Sequence, residues 1–135
     1  MSLNYTKKTL DNFLKPKNIG EIKKPDATAE IGNMVCGDQL SFSMKVEKGR
    51  IKDIKFLSFG CASNIATASV MTEAVKGKTI AAAKKLNWQK IVSELGGLPQ
   101  QKIHCSVMAI EGLEALIKDY ETKNKKISKT KKLPK

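Results

Sequence analysis

The sequence predicts an α+β domain: a small antiparallel sheet of about three strands, helices packed against it, and a long C-terminal helix. Three observations carry this. "QLSFSMKV" and "RIKDIKFLSF" are adjacent strand-like runs separated by "EKG". Helical patterns outnumber strands, and the two clear strands are neighbours with no helix between them. From about Lys102 to Tyr120, apolar residues recur at Ile103, Val107, Ile110, Leu113 and Ile117, in the steps of three and four of an amphipathic helix.

The elements read in order as follows. Tyr5, Leu10, Phe13 and Leu14 fall at roughly helical spacing, and Lys15-Pro16 should end that first helix. A loop follows, with a short extended piece near residues 28–33. In the next strand Leu40, Phe42, Met44 and Val46 face one way, with Gln39, Ser41, Ser43 and Lys45 opposite, as in a half-buried strand. Gly49 suits a hairpin turn. The return strand alternates less clearly, with Ile54 and Phe56 on one face and Leu57 and Phe59 on the other. "SNIATASVMTEAVKG" reads as a helix that Ser63 can cap and Gly77 can close. Thr79 and Asn87 should cap two shorter helices, the second broken by Gly96-Gly97 and Pro99.

Composition bounds the function. The chain has 135 residues, enough for one domain with a core, and 41% of them are hydrophobic. No apolar run approaches the roughly 18–20 residues of a membrane span. The first residues lack the apolar middle of a secretory signal, so a cytoplasmic, non-membrane protein is expected. The net charge of +12 sits mainly at the ends: +6 in residues 121–135 and +4 in 1–25, which leaves +2 between them. The folded domain is therefore expected over residues 1–120, with 121–135 a flexible basic tail. That tail has no Arg and no aromatic residue to stack on a base, which speaks against nucleic acid as the partner.

The residues that can carry chemistry are few. Cys36, Cys61 and Cys105 are the only cysteines, 25 and 44 residues apart, and His104 is the only histidine. An odd number cannot close a disulfide framework, and no CxxC knuckle is present. Each cysteine falls at a boundary between elements: "MVCGDQL" before a strand, "SFGCASN" between strand and helix, "KIHCSVM" in the first turn of the last helix. A hairpin and a helix start can bring all three to one rim, with Asp38 and His104 beside them. Thiolates and imidazole suit zinc or an iron–sulfur cluster. Helix starts at Cys61 and Cys105 favour the thiolate. A catalytic Cys–His couple is disfavoured, because residues i and i+1 on a helix do not face one another. A small buried thiol with no chemical role is the plain alternative for any one cysteine alone.

At these residues the sequence resembles the iron–sulfur cluster assembly scaffolds of the NifU/IscU family, especially the N-terminal domain of the NifU branch. The resemblance rests on "PKNIGEI", "EIGNMVCGDQLSFSMKV", "IKDIKFLSFGCASNIATASVMTEAVKGKT" and "LGGLPQQKIHCSVM", and covers about residues 13–120. It implies a non-enzymatic scaffold on which a [2Fe–2S] cluster is built and passed to recipient apoproteins. Sulfur would come from a cysteine desulfurase through a persulfide. Cys36, Cys61 and Cys105 match the cluster and sulfur-accepting cysteines, Asp38 the acidic residue beside the first, and His104 the histidine before the third. The resemblance leaves open whether His104 or Asp38 is the fourth ligand, and zinc in the same site is the alternative reading. His104 and the 44-residue spacing separate the chain from the zinc-containing SufU branch. Many members carry a Leu-Pro-Pro-Val-Lys segment read by a DnaK-type chaperone. Here Leu98, Pro99 and Lys102 match it, while Gln100 and Gln101 do not, which weakens the case for chaperone-assisted release. Full-length NifU proteins continue into further cysteine-bearing segments that this sequence does not contain.

Overall fold

A computed structural model describes residues 5–33 and 38–132, with only the backbone for Asn33, Asp38, Gln101 and 124–132. Its elements are α1 (Lys7–Leu14), β1 (Ala27–Asn33), β2 (Asp38–Glu47), β3 (Arg50–Ser58), α2 (Ala62–Val75), α3 (Ile80–Ala83), α4 (Trp88–Glu94) and α5 (Ile103–Lys132). The strands form one antiparallel sheet in the order β1-β2-β3. The predicted fold class therefore holds.

The sheet buries the face that β2 announces. Leu40, Phe42 and Met44 are fully enclosed, and Phe42 pairs with Phe56 across the ladder, their ring centroids 6.4 Å apart. The hairpin turns through Lys48 and Gly49, both with positive φ, at 54° and 75°. This left-handed pair matches the strand twist, and glycine takes the second position at no steric cost. The weak alternation in β3 has a physical cause. The register shifts between Lys45 and Val46, so Lys45 faces Asp53 while Val46 faces Ile51. The extra residue, Lys52, resets the parity, and Ile51 joins Ile54 and Phe56 in the core. At the same irregularity the Val46 amide donates to the Asp26 carboxylate, 2.8 Å away.

Three helical readings change. α1 ends at Leu14 as expected, but its apolar face is not its buried face. Leu10, Phe13 and Leu14 are 41%, 37% and 70% exposed, whereas Thr9 is enclosed. Polar groups dock this helix instead. The Thr6 hydroxyl accepts the Thr9 amide and donates to the Leu95 carbonyl. The Ser69 hydroxyl of α2 donates to Asn12 Oδ1 at 2.7 Å and accepts the Lys17 amide at 2.9 Å.

In α2 the N-cap is Cys61, two residues before Ser63, and its side chain makes no cap hydrogen bond. Gly77 does follow the helix end, at a φ of 84°. Thr79 and Asn87 cap α3 and α4 as predicted. In α5 the enclosed stripe is Cys105, Met108, Ala109, Leu113, Leu116 and Ile117, so Val107 and Ile110 lie at its margin. The helix also continues to Lys132 instead of stopping near Tyr120. Among the described residues no helix is long and apolar enough to cross a membrane.

Candidate metal centre

The candidate site lies where two helix starts meet at one end of the sheet. β3 leads through Phe59 and Gly60 to Cys61 at the head of α2, and a 3-10 turn over Gln100–Lys102 leads into α5. The end of the hairpin is tied to α2 by Asn64. Its Nδ2 donates to Ser58 Oγ at 3.1 Å and to the Gln39 carbonyl at 3.4 Å. This fixes the head of α2 against the residue that follows Asp38.

The structure brings Cys61 and Cys105 together from segments 44 residues apart. The hydroxyl of Ser63 stands 3.1 Å from the Cys61 sulfur and 3.2 Å from the Cys105 sulfur. One turn further along α2, Thr67 Oγ1 lies 3.2 Å from the Cys105 carbonyl and 3.1 Å from the Asn64 carbonyl, which share its one proton. Ser63 and Thr67 thus present one polar stripe of α2 to the first turn of α5, and both are fully enclosed. Cys105 is buried and Cys61 half-buried, so the pair spans from interior to rim.

His104 is closer to Cys105 than its adjacency on a helix suggested. Its Nε2 lies 3.7 Å from the Cys105 sulfur. The expectation that the two side chains face apart is therefore corrected: Nε2 is the far atom of the ring, and its reach spans the gap between neighbours. The contact is long for proton transfer, but it places an imidazole nitrogen beside the thiol.

Lys102 is the site neighbour that sequence reasoning assigned elsewhere. Burial works against its charge, yet the sulfurs of Cys61 and Cys105 outweigh that effect, with Tyr5 contributing least. Its pKa is held above the ordinary lysine value of 10.5, with Cys61 the strongest of the groups that raise it. A cation here favours anionic sulfur. The signal was present in the sequence: Lys102 lies three residues before Cys105, one helical turn away. Leu98 instead packs against the core, and Pro99 caps the 3-10 turn.

Cys36 lies outside the described residues, and so does the side chain of Asp38. The backbone of Asp38 opens β2, paired with Asn33. Among the described residues no three His, Cys, Asp or Glu side chains form a group that could hold a metal ion. The described part of the donor set is two thiols with an imidazole beside one of them. Its chemistry fits a soft, thiophilic cargo.

Residues 4–127 match the model of the NifU-like N terminal domain. The chain is 48% identical over 129 residues to the iron-sulfur cluster assembly scaffold protein IscU 1 of Archaeoglobus fulgidus, covering 96% of this chain and 84% of that protein. It is 44% identical to the scaffold protein IscU of Aquifex aeolicus, covering 99% and 87%. It is also 45% identical to the nitrogen fixation protein NifU of a Nostoc species, of which it spans 42%. Among solved structures, the SUF-system scaffold protein of Fervidobacterium islandicum shares the fold with a TM-score of 0.72. That match has 23% identity and covers 84% of this chain and 96% of the other. With a family match over nearly its whole length and close relatives among the curated scaffolds, the chain belongs to the NifU/IscU family of iron–sulfur cluster assembly scaffolds.

Proposed function

We propose that the protein is the platform on which a [2Fe–2S] cluster is assembled from iron and desulfurase-derived sulfur and then released to recipient apoproteins. The observation that carries this reading is the convergence of Cys61 and Cys105 on either side of Ser63, with Lys102 and His104 at the same sulfurs. A scaffold must hold its cargo firmly enough to build it and loosely enough to lose it. Thiolates give the grip. A harder or neutral fourth donor, His104 or Asp38, gives a corner that opens. Cys36 completes the thiol set in this reading.

The chain's own groups prepare the sulfurs. Cys61 is the N-cap of α2 and Cys105 lies in the first turn of α5, and the positive end of a helix dipole favours the thiolate. The Lys102 ammonium adds positive charge at the half-buried rim, where incoming sulfur arrives. Sulfur enters as a persulfide formed when a desulfurase cysteine hands its outer sulfur to one of the three thiolates. The scaffold needs no turnover of its own, and the cluster is cargo.

Anaerobic reconstitution with iron and sulfide tests the proposal. The expected outcome is a visible charge-transfer spectrum with iron and sulfide in equal amounts per chain, and its loss in Cys61→Ser. Zinc is the competing cargo, because two thiolates and an imidazole suit it as well. A chain that takes up zinc but no iron or sulfide under these conditions would overturn the scaffold reading in favour of a zinc-binding sulfur acceptor.

A further inference from the structure

We infer that Ser63 is a positioning residue of the site: its enclosed hydroxyl sets the Cys61 and Cys105 sulfurs relative to one another and gives one of them a hydrogen bond. The inference rests on the scaffold reading for its purpose, but its geometry stands apart from it. Ser63 is 0% exposed, and its oxygen lies at hydrogen-bond distance from both sulfurs, 3.1 and 3.2 Å. The sulfurs are therefore no more than two hydrogen-bond lengths apart, although they come from different helices. A serine spent as a helix cap would not do this. The N-cap is Cys61, so the Ser63 hydroxyl is released from capping and turned toward the sulfurs.

The hydroxyl carries one proton. It donates to one sulfur and can only accept from the other. This makes the pair unequal: Ser63 gives its proton to one sulfur and accepts at the other. When the site is loaded, a hydrogen bond to a ligating sulfur withdraws electron density from it and raises the reduction potential of a cluster. Thr67, below Ser63 on the same face, holds the Cys105 carbonyl and fixes the backbone on which this geometry depends.

The test uses two arms. In the first, Cys36→Ser apoprotein, which retains Cys61 and Cys105 as its only cysteines, is titrated with cadmium and followed by its sulfur-to-metal absorption. Adding Ser63→Ala should weaken binding about tenfold, the lower range for loss of a group that orients a ligand, whereas Ser63→Thr, which keeps the hydroxyl, should stay within about twofold. In the second arm, the full chain carrying Ser63→Ala is loaded anaerobically and its reduction potential measured. The expected shift is to more negative values, with Ser63→Thr close to the parent. Unchanged cadmium affinity together with an unchanged potential in Ser63→Ala would overturn the inference. So would equal losses in Ala and Thr variants, since shape rather than the hydroxyl would then be responsible. Failure of the parent chain to load iron and sulfide would strike the scaffold reading instead, and leave the cadmium arm to decide on Ser63.

Discussion

Single residues in this protein are set by what they touch more than by their type. Gly112 lies in the middle of α5, where glycine lowers helix stability. A β-carbon there would run into the Phe42 ring, which is itself locked against Phe56. The glycine is therefore the condition for α5 lying close on the sheet. Gly112→Ala is expected to destabilise by about 1–3 kcal/mol despite alanine's better helix propensity, as overpacking does. Urea unfolding would show it, and a stabilised variant would mean that Phe42 can move aside. Lys102 shows the same dependence. Its sequence neighbours suggested a docking segment, and its charge is also raised by the nearby Cys61 and Cys105.

Elements are held in place by polar side chains as much as by apolar faces. α2 is enclosed nearly all round, and its Ser63, Thr67, Ser69 and Thr72 are all buried. Each hydroxyl meets a partner: the two sulfurs, the start of α5, α1 and the helix's own backbone. The edge strand β1 is tied to α5 in a similar way. The Thr28 amide donates to the Asp119 carboxylate at 3.0 Å, and Lys123 pairs with the same group at 3.0 Å. The Thr28 amide holds the Asp119 pKa below its ordinary 3.8; burial opposes this, and Lys123 reinforces it. A depressed folded pKa means stability that is present above the ordinary value and is lost as pH falls through the folded one. Asp119→Ala should cost about 1 kcal/mol near neutrality. That difference should shrink toward zero as the pH drops below 3.8. Thermal melts across that range would check it, and a pH-independent difference would exclude the carboxylate as the source.

At the scale of the whole molecule, the core and the site share two helices. The buried stripe of α5 begins with Cys105 at the site and runs to Ile117, with Tyr120 partly buried beyond it. Residues 121–123 are exposed. Deleting residues 124–135 is therefore expected to change the melting temperature by no more than about 4 °C, equivalent to about 1 kcal/mol. Circular dichroism would measure it, and a large drop would mean that the basic end of α5 packs on the domain. Deletion should leave cluster loading intact, since the described site groups lie at the opposite end of that helix.

Much of this was legible in the sequence. Period-two alternation fixed β2, because a half-buried strand must alternate, and Thr79 and Asn87 declared their caps through oxygens that can accept free helix amides. Cys36, Cys61 and Cys105 at element boundaries, with Asp38 and His104 beside them, were expected to share one rim; of these Cys61, His104 and Cys105 come together, and Cys36 and the Asp38 side chain lie outside the described residues. Other features depend on partners far along the chain. The β3 bulge was invisible because an inserted residue is defined only against the opposite strand. The apolar side of α1 misled because burial is decided by what covers a helix, and here α2 offers hydroxyls. The buried stripe of α5 differs from its apolar pattern because the sheet and α2 decide which side of the helix is covered. The sequence by itself determined the fold class, the sheet's inner face and which residues could carry chemistry. Tertiary structure alone decided that Ser63 stands between two sulfurs and that His104 reaches Cys105. Such placement depends on distances of a few ångströms between helix starts, which no local pattern encodes.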